Sequence, residues 1–122
     1  MLFKQVDLVY NNMKYLITES QIDRAVFIYL NNQDFIQIEK GNNIYFVNSE
    51  GDVYAQIRYD KNNGWCYVYW KLINEISSFF SLEESESEKV IGRWVENTLQ
   101  MRVTGTILQH VLSGFVLRIP SN

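Results

Sequence analysis

Between residues 35 and 71 the chain is cut into short runs rich in β-branched and aromatic residues, separated by clusters of Asn, Gly and Asp. The runs are 35–40, 44–48, 53–60 and 65–71, and the clusters between them hold about four residues, the length of a hairpin connection. A parallel pair needs a much longer crossover. Sequential strands joined this closely therefore predict an antiparallel meander. The run 24–30 (RAVFIYL) has the same composition and is apolar on both sides. It adds a fifth strand to the prediction, placed centrally or under a helix.

On either side of this block the pattern changes to helix spacing. In residues 2–18, Leu2, Val6, Val9, Met13 and Leu16 recur at three- and four-residue steps, which predicts an amphipathic N-terminal helix. Residues 72–80 predict a short helix. Ser81-Leu82-Glu83-Glu84 and Ser85-Glu86-Ser87-Glu88 carry overlapping capping-box patterns ahead of a helix from about 86 to 102. Its apolar stripe is Val90, Ile91, Trp94, Val95, Thr98 and Leu99. That stripe suits core packing better than a partner helix, and Gly105 is the expected stop. For 106–122 two alternatives stay open: a helical turn ending at Gly114, or a last strand at 115–119. The expected fold is a single α+β domain spanning residues 1–122. It has an N-terminal helix, a five-stranded antiparallel meander, and two or three C-terminal helices packed on the sheet.

Composition removes several function classes. With 122 residues, one Cys and one His, the chain can form neither an internal disulfide nor a Cys/His zinc cage. The net charge of −3 argues against a duplex-DNA binder. No apolar run approaches the ~18 residues of a spanning helix, and Lys4, Asp7, Asn11, Asn12 and Lys14 interrupt any leader-like run. A cytoplasmic location with no membrane association is the expectation. Poverty in Ala and Pro with abundant Asn, Ile and Tyr has the flavour of AT-rich genomes, including phage and mobile elements.

The chemistry-bearing motifs are sparse. Cys66 falls on the apolar alternation Cys66, Val68, Trp70, Leu72, so a core thiol is expected rather than a nucleophile. His110 has no motif around it, and the serines have no G-x-S-x-G elbow. Asp60-Lys61-Asn62-Asn63-Gly64 resembles the opening of a calcium loop, but loop position twelve is Lys71 where a glutamate is required. A turn is expected there. Glu83, Glu84, Glu86 and Glu88 lack apolar neighbours and are expected to form a solvated helix start. The six glycines are spaced singly, so no phosphate cradle exists. No metal and no cofactor is expected, and no catalytic residue is assigned.

One pattern survives. Residues 65–71 alternate Trp65, Tyr67, Tyr69, Lys71 against Cys66, Val68, Trp70, Leu72. Residues 53–59 alternate Tyr54, Gln56, Arg58 against Val53, Ala55, Ile57, Tyr59. With the second sets in the core, one sheet face carries Tyr54, Arg58, Trp65, Tyr67, Tyr69 and Lys71, with Tyr45 a candidate neighbour. Three explanations compete for this face. A helix covers it and it is core. It is a protein interface, as a homodimer or a partner site. Or it stacks single-stranded nucleic acid or a small planar ligand. The leading expectation is a non-catalytic interaction protein, such as an inhibitor, adaptor or immunity-type partner. The nucleic-acid or ligand binder is the alternative.

Overall fold

The computed structural model describes residues 5–10, 13–49 and 51–114, and side chains from residue 20 onward. The element order is β1 (Gln5–Tyr10), β2 (Met13–Thr18), α1 (Glu19–Asn31), β3 (Ile36–Lys40), β4 (Asn43–Val47), β5 (Tyr54–Ala55), β6 (Ile57–Asp60) and β7 (Trp65–Tyr69). It continues with α2 (Trp70–Phe80), α3 (Glu84–Leu99), β8 (Gly105–Gln109) and β9 (Ser113–Gly114). The fold is α+β, with three helices among the described residues and a mostly antiparallel five-stranded sheet ordered β3-β4-β6-β7-β8.

Two predicted elements are exchanged in kind. The described part of the expected N-terminal helix, residues 5–10 and 13–18, is a hairpin instead, β1 and β2 pairing antiparallel from Gln5↔Thr18 to Tyr10↔Met13. Alternation competes with the three- and four-residue spacing there. The register matches Val6 with Ile17, Leu8 with Tyr15 and Tyr10 with Met13, apolar against apolar, and such cross-strand pairs are the unit of sheet stability. The run 24–30 is not a strand but lies within α1. Ile22, Val26 and Leu30, each four residues from the next, are its buried stripe. Tertiary burial outweighs the local β propensity of that segment.

The meander itself is present in β3, β4, β6 and β7, each paired antiparallel with the next. The fifth strand of the sheet is β8, which pairs parallel with β7 from Trp65↔Gly105 to Tyr69↔Gln109. Helices α2 and α3 form the crossover that a parallel pair requires. Strand β5 leaves the main sheet and pairs with β9. Residues 106–109 are thus strand rather than helical turn, and 115–119 lie outside the described residues.

Local chemistry explains the element ends. Ser81 adopts a left-handed conformation (φ 55°) and closes α2, with the Leu82 N–H donating to Ser77 O at 2.9 Å. Ser81 is therefore spent as a C-cap, and neither expected capping box forms. Helix α3 begins after Glu83 without a side-chain cap. Its end is set by Gln100 (φ 54°) rather than by Gly105. The 60–64 segment is a turn, as expected. Asp60 Oδ1 accepts the Asn62 N–H at 2.8 Å, and Gly64 supplies a φ of 77° that a side chain resists.

All three described helices pack on one face of the sheet. Ile22, Val26 and Leu30 of α1, Leu72, Ile73 and Ile76 of α2, and Val90, Ile91, Trp94 and Val95 of α3 share one cluster. The sheet adds Ile44, Phe46, Ile57, Tyr59, Cys66 and Val68 to it. Phe46 lies at its centre, with ring centroids 5.4 Å from Trp94 and 6.3 Å from Phe35. Arg93 of α3 ties α1 down by a two-pronged pair with Asp23, at 2.6 and 2.7 Å. The stripe of α3 is thus core, as expected.

Candidate functional site

The opposite face of the sheet is the candidate site. Backbone register lines up Ile38, Tyr45, Arg58, Tyr67 and Ile107 as one row across β3, β4, β6, β7 and β8. Strands β6 and β7 keep the expected alternation. Ile57, Tyr59, Cys66 and Val68 are buried toward the helices, while Arg58, Trp65, Tyr67 and Tyr69 are half-buried on the outer side.

Each of these side chains has a distinct support. The Arg58 guanidinium lies 4.0 Å from the Tyr67 ring centroid, and its Nη1 donates to Asn43 Oδ1 at 3.0 Å. The Trp65 ring lies across Gly105, where an added Cβ would sit 2.4 Å from Trp65 Cζ3. Gly105 is therefore a close-approach position that lets the indole cover the β8 backbone. Tyr69 flanks the row beside Gln109, its partner in register.

Two expected members sit elsewhere. Lys71 is not on the strand face, because the chain enters α2 at Trp70 and Lys71 is exposed on that helix. Its Nζ lies 5.8 Å from the Trp70 ring, and Trp70 is half-buried rather than core. Tyr54 is 57% exposed on β5, displaced from the row. The cause is a break in alternation at Gln56. Its N–H donates to Phe46 O while its carbonyl accepts the Tyr69 N–H. Ala55 then packs with Tyr45 and Val47 in a small second cluster on the outer side, instead of beside Ile57. Tyr45, the candidate neighbour, is in the row but buried in that cluster, with Ile36 and Ile38 against it.

The C-terminal part of the described chain supplies residues that sequence reasoning missed. Residues 109–114 run past the row and, with Tyr45 and Arg58, wall a cavity of about 380 Å³. Ser113 Oγ donates to Gln109 Oε1 at 2.8 Å within that wall. Ile107 (40%) and Val111 (71%) remain largely exposed. The alternation Ile107, Gln109 against Thr106, Leu108 was the available signal, masked by an equally good helical reading of Ile107, Leu108, Val111 and Leu112.

The remaining titratable candidates behave as structural groups. Burial, with a smaller contribution from Glu96, pushes the Cys66 thiol up to about 12, so the reactive thiolate is suppressed. His110 is exposed. Glu88 departs from the expected solvated cluster: partial burial, then the Glu84 charge, raises its carboxyl above the usual range. It faces a groove of about 430 Å³ between α3 and β8. Among the described residues no group of three His, Cys, Asp or Glu side chains is placed to hold a metal ion. None of their helices is long and apolar enough to cross a membrane.

The chain matches no family model, no curated protein and no solved structure.

Proposed function

We propose that this is a non-catalytic interaction protein that binds a protein partner through the outer sheet face. The observation that carries the proposal is the position of α1, α2 and α3, all packed on the other face. Among the described residues, no helix covers the Arg58–Tyr67 pair with Trp65 and Tyr69 beside it, and Gln109 and residues 111–114 line the pocket next to Arg58. Half-buried aromatics around an arginine are the composition of an interface centre, where large rigid rings bury area at low entropic cost. The second copy of the chain is one such partner. Charge weighs against single-stranded nucleic acid. The row offers a single cation, Arg58, whereas backbone tracking needs several.

The test compares wild type with Tyr67→Ser and with Phe79→Ser, a control on α2 where Phe79 is 69% exposed. Proteins captured from a lysate of the source organism are resolved by mass spectrometry, and light scattering on a sizing column reports self-association. A partner, or a dimer, that disappears with Tyr67→Ser and survives Phe79→Ser supports the proposal. Association that survives Tyr67→Ser and disappears with Phe79→Ser overturns it.

A further inference from the structure

Among the described residues two arginines are half-buried, and they are satisfied differently. Arg93 gives two N–H groups to the Asp23 carboxylate. Arg58 gives one N–H to the neutral Asn43 amide and its π face to Tyr67. A guanidinium has five N–H donors and never loses its charge. Among the described residues no carboxylate pairs with Arg58. Asp60, two residues along β6 and opposite Asn43, accepts the Asn62 N–H at its Oδ1 and makes no ion pair with Arg58. Removing a cation from water without a counter-charge is costly, so a half-buried arginine favours an anion beside it.

The space beside Arg58 is an open pocket of about 380 Å³ lined by Tyr45, Gln109 and residues 111–114. The Ser113 hydroxyl engages Gln109 Oε1, which leaves the Gln109 amide NH₂ as a second donor in the same wall. One planar cation and one neutral amide match a singly charged planar acceptor. A phosphate dianion calls for more positive charge than this.

We infer that the Arg58 cavity is a carboxylate-binding site, filled by an Asp or Glu side chain of the protein partner. This deepens the partner-binding proposal and rests on it for the source of the carboxylate. The face chemistry then divides into two tasks. Trp65, Tyr67 and Tyr69 supply apolar contact, and Arg58 reads one acidic position and fixes the register of the partner.

The experiment titrates the ¹⁵N-labelled protein with sodium acetate, sodium phosphate and sodium chloride while arginine Nε–H and glutamine NH₂ resonances are followed. Acetate is expected to shift Arg58 and Gln109 saturably, with a Kd of about 1–100 mM, leaving Arg93 in place because Asp23 already holds it. Arg58→Lys should weaken the binding several-fold, since an ammonium lacks the planar fork. Arg58→Gln, checked for fold by circular dichroism, should abolish it. Unsaturable shifts of equal size at Arg58, Arg24 and Arg102 overturn the inference. So does saturation by phosphate without saturation by acetate. Failure of the two proposals is separable. Acetate bound at Arg58 with no association sensitive to Tyr67→Ser retains the cavity and rejects the partner face. Association sensitive to Tyr67→Ser without acetate binding does the reverse.

Discussion

The two faces of the five-stranded sheet are built from the same strands and put to opposite uses. Toward the helices, alternate residues such as Phe46, Ile57 and Val68 are fully buried under α1, α2 and α3. On the outer side, Tyr45, Val47 and Ala55 form a small buried cluster, while Arg58, Trp65, Tyr67 and Tyr69 stay half-buried with no described helix over them. The two half-buried arginines repeat the contrast on a smaller scale. Arg93 ends in an internal carboxylate, and Arg58 ends at a cavity. Stability is concentrated on the face that is already filled. The face that retains unspent donors and rings is the one available to another molecule.

That division fails if both faces contribute equally to stability, and graded substitutions test it. The largest effect is expected from Phe46→Ala, which opens a hole between Phe35 and Trp94 and should cost about 3–5 kcal/mol in denaturant unfolding. Ile107→Ala, in the exposed end of the outer row, should cost less than about 1 kcal/mol. Gly105→Ala should cost about 1–3 kcal/mol, because the new methyl displaces the Trp65 ring, and the Trp65 indole N–H resonance should move with it. Arg93→Met should cost about 1–2 kcal/mol by stranding Asp23. Arg58→Met should stay within about 0.5 kcal/mol, and equal costs for the two arginines would erase the distinction drawn between them.

Alkaline pH should loosen the helix side. The Cys66 thiol is raised from 9.0 to about 12 by burial. The Tyr29 hydroxyl is raised from 10.0 to about 12 by burial and by its hydrogen bond to Glu75. In both cases the unfolded chain releases the proton first. Stability is therefore fully present below pH 9 and declines as pH rises toward 12. Unfolding midpoints measured across that range check the sign, and a rise in stability would contradict it. The smallest effect is expected from Tyr54→Ser, within about 0.5 kcal/mol, because its ring is mostly in water.

The legible parts of this molecule were those where a single pattern acts alone. Residues 65–69 alternate with no helical competitor, and the structure puts Cys66 and Val68 inside and Trp65, Tyr67 and Tyr69 outside. The Asn-, Gly- and Asp-rich breaks between the runs likewise made the β3-β4-β6-β7 order readable. Ambiguity arose where two periods coexist. Residues 5–18 satisfy both alternation and four-residue spacing, and 24–30 combine β-branched composition with the Ile22, Val26, Leu30 helix stripe. For the site, Arg58 and Tyr67 were readable from alternation. Tyr54 and Lys71 were not, because a break at Gln56 and a helix start at Trp70 both end the alternation without a proline or glycine to mark it. Gln109 comes from β8, whose parallel partner β7 lies far back in the chain, and Ser113 comes from β9, whose partner β5 is farther back still; no local pattern reports either partner.

That distant pairing has a consequence for synthesis. Cys66 pairs with Tyr59 across a short turn, whereas Trp65 meets Gly105 only after forty further residues have been made. A growing chain can therefore assemble β3, β4, β6 and β7 while β8 is still absent, leaving the β7 edge open. The anion cavity lacks two of its walls until Gln109 and Ser113 have emerged. In order of synthesis, the strands of the meander come first and the residues that complete the pocket beside Arg58 come last.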